Sequence, residues 1–142
     1  MAILLTVSLT RAATIEDLAR GAQLIVRGKV EAKSIQRDAA GRIFTETKIA
    51  VKEVWKGDPK EPLLTIVSGD GILGERKETS MGEVFYAVGE DVLAFVIWND
   101  RHEAVTLEMA NGKFQINGDL ASNASTKMPL DEMKQHVKET LR

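Results

Sequence analysis

Apolar residues along this chain recur mostly with a period of two, in short runs ended by Gly, Pro, Asn or Asp. Leu24, Val26, Gly28, Val30 and Ala32 alternate with Ile25, Arg27, Lys29 and Glu31, which predicts a half-buried strand. A glycine in its middle predicts a bulge or sharp coil, of the kind that bends a strand around a barrel. RDAAGR, residues 37–42, predicts a turn. Ile43, Thr45, Thr47, Ile49 and Val51 then alternate with Phe44, Glu46, Lys48 and Ala50, and the apolar beat slips to Val54, which predicts a bulge near Lys52 and Glu53. KGDPKEP is a loop and LLTIVS a brief strand.

Residues 69–90 carry the least regular pattern, rich in glycine and charge. VLAFVIW, residues 92–98, is apolar on both faces, so this strand should lie centrally and be covered on both sides. AVTLEM follows with Val105, Leu107 and Met109 in alternation. Asn111-Gly112 is the strongest hairpin signal of the chain, leading into KFQIN. GDLASNASTK reads as a polar connection.

Helical spacing is confined to the two ends of this pattern. Thr14 and Asp17 stand in N-cap and N3 positions ahead of Ile15, Leu18 and Ala19, and Gly21 can end that short helix. Near the C-terminus Leu130, Met133, Val137 and Leu141 form one stripe, with Asp131 and Glu132 in the first turn and Lys138 and Arg142 in the last, an order that suits the helix dipole. About six strands with hairpin connections and two short helices define a mainly β chain and favour an antiparallel barrel.

Composition narrows the chemistry. At 142 residues the expectation is one domain with a core of its own. The absence of cysteine excludes disulfides, thiolate metal sites and a cysteine nucleophile. A net charge of −2 and an aromatic content of 5% disfavour nucleic-acid binding, which uses a basic face and stacking platforms. No apolar run reaches the roughly 18 residues of a membrane span. Residues 1–13 read equally as a truncated export signal, with Ala2–Leu9 apolar and small residues at Thr10 and Ala12, or as a first buried strand.

Gly69, Gly71 and Gly74 are spaced G-x-G-x-x-G after a strand, yet ERKETSMGEV behind them has no helical stripe, and Asp70 would put a negative charge where phosphate should sit. A wide loop using positive φ is the expectation, and no cofactor is called for. His102 and Glu103, as strand neighbours, would point to opposite faces and form no clamp. No G-x-S-x-G elbow is present. Trp55 and Trp98 each end a strand beside a polar turn, where a tryptophan either plugs a barrel end or anchors a binding loop.

EDLARGAQLIVRGKVEA, TETKIAVKEVWKGDP, VSGDGILG, AVGEDVLAFV and NGKFQI, in this order over about residues 14–117, resemble a group of exported bacterial proteins of uncharacterised role. The same order is similar to the netrin-like modules and tissue inhibitors of metalloproteinases. The resemblance implies an antiparallel OB-like β-barrel with short N-terminal and C-terminal helices, one domain over residues 14–142. It also implies export and a protein-binding role, and it tilts residues 1–13 towards a shortened signal. The inhibitors place an N-terminal cysteine on the protease zinc, and that route does not carry over to a chain without cysteine.

The expectation that results is a non-enzymatic, exported interaction module that meets another protein through loops 57–62, 69–90 and 99–103. Trp55, Asp58, Asp70, Trp98, Asp100 and His102 are its candidate contact residues, with no catalytic, cofactor or metal residue. Two alternatives remain open: a hydrolase or metal-dependent enzyme with a site assembled from distant loops, and a single-stranded nucleic-acid binder.

Overall fold

A computed structural model describes residues 14–69 and 84–142. The expectations placed on residues 1–13, on Asp70 and on most of the glycine-rich stretch lie outside the described residues. In chain order the elements are α1 (Ile15–Gly21), β1 (Leu24–Arg37), β2 (Ile43–Lys56), β3 (Leu63–Ser68), β4 (Asp91–Trp98), β5 (Ala104–Thr106), a 3-10 turn (Met109–Gly112), β6 (Lys113–Asn117), β7 (Leu120–Ser122), β8 (Lys127–Pro129) and α2 (Leu130–Leu141).

The eight strands form one mixed sheet. β1 pairs with β2, β2 with β3, β3 with β5, β5 with β4, and β4 again with β1, so the pairings return on themselves in a partial ring. All are antiparallel except β3–β5, which meet in parallel at Ile66 and Ala104. The purely antiparallel sheet expected from hairpin signals is therefore corrected. β3 and β5 are not hairpin neighbours, because β4 intervenes between them in the chain.

Two cores follow from the alternation. Even positions of β1 and β4 (Leu24, Val26, Val30, Val92, Ala94, Val96) join Ile49, Leu64, Ile66, Tyr86 and Ala104 inside the ring. Odd positions Ile25, Leu93 and Phe95 face the other way and meet Ile15, Leu18, Phe114, Ile116, Met133 and Val137 beneath the helices. β4 is thus buried on both faces, as its unbroken apolar run requires. The Phe95 and Phe114 rings meet edge to face with centroids 5.9 Å apart.

The curvature is written into β1 and β2. A Cβ on Gly28 would collide with the Ala50 carbonyl oxygen and stand 2.8 Å from Ile49 Cγ2, so only glycine lets the two strands approach there. The β1–β2 register shifts at three places, one between Arg27/Gly28 that skips Lys52, where the slipped beat predicts a bulge. At the far end of β2, Lys56 Nζ donates to the carbonyls of Ala19 in α1 (3.0 Å) and of Ala22, its C-cap (2.6 Å), a cation at a helix C-terminus. At the other end of α1, Thr14 Oγ1 accepts from Asp17 N at 3.0 Å, and Asp17 Oδ2 accepts from Thr14 N at 3.2 Å.

Three expectations for the C-terminal part are corrected. Asn111-Gly112 closes no hairpin: β5 and β6 lie in succession along one edge of β4, against Val96–Trp98 and Val92–Ala94 respectively. Asn111 and Gly112 belong to the excursion between them, where Gly112 packs so closely on the Leu107 carbonyl that a Cβ would collide. In β5 the buried residues are Ala104 and Thr106, the opposite parity to that read from Val105, Leu107 and Met109, because the strand stops before Leu107. The polar connection GDLASNASTK contains β7 and the start of β8, short strands with one buried residue, Ala121, to mark them.

Candidate functional site

The loop 57–62, β3 and the turn 99–103 surround an open groove of about 340 Å³. Leu64 and Ile66 point into the ring, so the alternation sends Leu63, Thr65 and Val67 into the groove. Trp98 closes one side from the end of β4, His102 stands above it, and Glu46 and Glu61 contribute carboxylates. Leu63 is 43% exposed and Trp98 37%, so this is apolar surface that nothing among the described residues covers.

The turn is held rigidly. Asn99 Oδ1 accepts from the backbone N–H groups of Arg101 and Glu103, both at 2.9 Å, and Asn99 Nδ2 donates to Glu103 Oε1 at 2.9 Å. His102 adopts φ +63°, which turns its side chain out of strand geometry. His102 and Glu103 therefore precede β5 instead of alternating within a strand, and both line the groove, which corrects the expectation of opposite faces. Glu103 is drawn to Arg42 in the β1–β2 turn, which donates from its two terminal nitrogens at 2.8 and 3.4 Å. Arg42 Nε also donates to Asp38 Oδ2 at 3.2 Å, and Asp38 Oδ1 accepts from the backbone N–H of Ala40 and of Arg42. Two turns far apart in sequence are thereby locked side by side.

These contacts set the electrostatics. The Arg42 side chain holds the Glu103 carboxyl below the ordinary carboxylate range, and the Arg42 backbone N–H is the main cause of the same shift at Asp38. Arg42 is raised in turn, chiefly by donating to Glu103. A depressed carboxylate stabilises the fold fully above its unfolded pKa and loses that contribution as pH falls through its folded value. Arg42→Met is expected to lower stability at neutral pH by about 1 kcal/mol, the upper end for solvent-screened pairs. The deficit against the parent should shrink as pH drops below the carboxylate range. Urea unfolding of both proteins at neutral and acidic pH checks this, and a deficit unchanged in acid would contradict it.

Of the six candidate residues, Trp98 and His102 line the groove, and Asp100 lies exposed in the same turn. Asp58 opens the loop that supplies Pro59, Lys60 and Glu61, and its Oδ1 accepts from Lys60 N at 2.8 Å. Trp55 is not brought to the groove. It packs against the core beneath the helices, donates from Nε1 to Glu53 Oε1 at 2.8 Å, and lies 5.9 Å from Lys134 Nζ. Asp70 lies outside the described residues. Sequence reasoning placed Glu61 within the contact loop 57–62 without singling it out, and missed Glu46 and Leu63 as groove residues and Arg42 as the lock. The Asn99-to-Glu103 turn was visible in principle as an Asx turn; no local signal marks Glu46, Leu63 or Arg42.

The second histidine, His136, lies elsewhere, on α2 between Glu16 (Nδ1 to Oε2, 3.2 Å) and Glu132 (Nε2 to Oε2, 4.0 Å). Among the described residues no three His, Asp or Glu side chains are grouped so as to hold a metal ion. No helix among them is long and apolar enough to cross a membrane. No protein-family model matches the chain, and no curated protein matches its sequence.

Proposed function

We propose that the protein is a non-enzymatic, exported interaction module that binds a segment of another protein in the groove between β3 and the 99–103 turn. Its ring of pairings is read as an OB-like barrel: five strands in the cyclic order β1-β2-β3-β5-β4, with β3 and β5 parallel. In such barrels the turns after strands 1 and 4 flank the ligand face. The observation that carries the proposal is the convergence of half-exposed Leu63 and Trp98 beside a turn braced by Arg42 and Glu103. An ordered apolar floor with a tryptophan wall suits an amphipathic protein segment better than a polar small molecule.

Charge refines the partner. Glu46 and Glu61 line the groove with no ionic partner among the described residues and outnumber Lys60, which lines it too, so a Lys or Arg beside an apolar residue fits best. A cation there can also sit against the Trp98 ring. The same carboxylates disfavour a nucleic-acid backbone.

Panning a random peptide library on the purified protein tests the proposal. Sequences pairing a basic with an apolar residue should be enriched, and the folded variant Trp98→Ser should bind them at least tenfold more weakly. No enrichment, binding indifferent to Trp98, or salt-sensitive retention of single-stranded nucleic acid would overturn it. Export is tested by fractionating the native host and sequencing the N-terminus of the mature chain.

A further inference from the structure

β1 is much longer than the partner on one of its edges. It pairs with β2 from Ile25 to Arg37, but with β4 only from Leu24 to Lys29. The last backbone bonds on the β4 side are Val30 N to Glu90 O (2.9 Å) and Gly89 N to Val30 O (2.8 Å). Among the described residues no strand continues that ladder past Val30, and residues 31–37 have no strand partner on that side. Such edges are templates for another strand unless blocked. Of the features that block an edge this one carries the bulge at Glu31 and the charges of Lys33 and Arg37 but no proline, and its Ile35 is 76% exposed.

We propose that this edge pairs with its own copy in a second molecule, antiparallel and two-fold symmetric about Ser34. Directly opposed residues then sum to a constant: Glu31 faces Arg37 of the second molecule, Ala32 faces Gln36, Lys33 faces Ile35, and Ser34 faces itself. Odd positions share one face, so both Ile35 side chains meet diagonally, flanked by two Glu31–Arg37 pairs. Among the described residues neither Glu31 nor Arg37 has an ionic partner within its own chain.

The neighbouring symmetric registers are excluded by charge. Centring on Lys33 opposes two lysines, and centring on Ile35 opposes Lys33 to Arg37; like charges directly opposite destabilise a strand pair. Lys33 Nζ lies over the Phe85 ring, 4.1 Å from its centroid. A second copy is therefore an occupant of complementary charge, and the Ser34-centred register is the one that pairs the full stretch from Glu31 to Arg37 without opposing like charges. The surface lies one strand away from the groove, since Ser34 pairs with Glu46, but it does not include Trp98.

Sedimentation equilibrium over a wide concentration range tests the proposal. The parent protein should show a monomer–dimer equilibrium. Arg37→Glu, an exposed change, should weaken it at least tenfold by opposing two glutamates. The double swap Glu31→Arg with Arg37→Glu should restore it, a rescue that general destabilisation would not give. Circular dichroism checks that each variant is folded. A strictly monomeric parent, or a dimer indifferent to Arg37→Glu, would overturn the proposal, and the Trp98→Ser variant should dimerise like the parent.

Discussion

Phe95→Ala is expected to lower the unfolding free energy by about 4 kcal/mol, near the top of the range for a single core truncation. The ring is fully buried on the helix-facing side of β4 and packs edge to face on Phe114. β4, like β1, contributes to both cores, with β1 along one edge and β5 and β6 along the other. A cavity there cannot be closed by moving one strand without pulling Val92, Ala94 and Val96 out of the ring. Both cores should accordingly loosen together. Urea unfolding gives the loss, and a cost under about 1 kcal/mol would mean that the site collapses freely and that the helices are not anchored on β4.

Gly28→Val is the second large effect, at about 3 kcal/mol or more. The obstacle is backbone, the Ala50 carbonyl, so rotating a side chain cannot relieve it. Either β1 and β2 separate locally or the curvature of β1 is lost. Gly41→Ala serves as the contrast: φ is +88° with nothing within 4 Å of the added atom, so only backbone strain of about 1 kcal/mol is expected. Comparing the two by denaturant midpoint separates close approach from turn geometry. Equal costs would contradict the account of Gly28.

Where one strand or helix carries its own signal, the chain is legible. The capping box at Thr14 and Asp17, the bulge beside Lys52, the glycine in β1 and the two-faced β4 each follow from residues within a few positions of one another. Where structure depends on what lies across the sheet, the signal fades. β7 and β8 have too few apolar positions to alternate visibly, and they exist because β6 offers β7 an edge and β7 offers one to β8. Asn111-Gly112 has hairpin chemistry, but the β4 edge is long enough to take β5 and β6 in succession, and tertiary pairing overrides the local turn. The groove is the extreme case. Arg42 and Glu103 are 61 positions apart, and Trp98 and Leu63 are neighbours only once β3 meets β5. Trp55 and Trp98 have equivalent surroundings in sequence, yet one lies under α2 and the other in the groove. Strand parity and the bulges of β2 decide between them, and neither is encoded at the tryptophan itself.

The claim on which site and function rest is that the strand pairings return to their starting point. Backbone amide contacts from NMR test it most directly. Cross-strand signals should join Ile66 to Ala104 and Gly28 to Val92 in the same molecule, with slow amide exchange in β3. If Gly28 meets Val92 while β3 exchanges freely and shows no contact with Ala104, the sheet is open at β3. Leu63 and Trp98 would then share no groove.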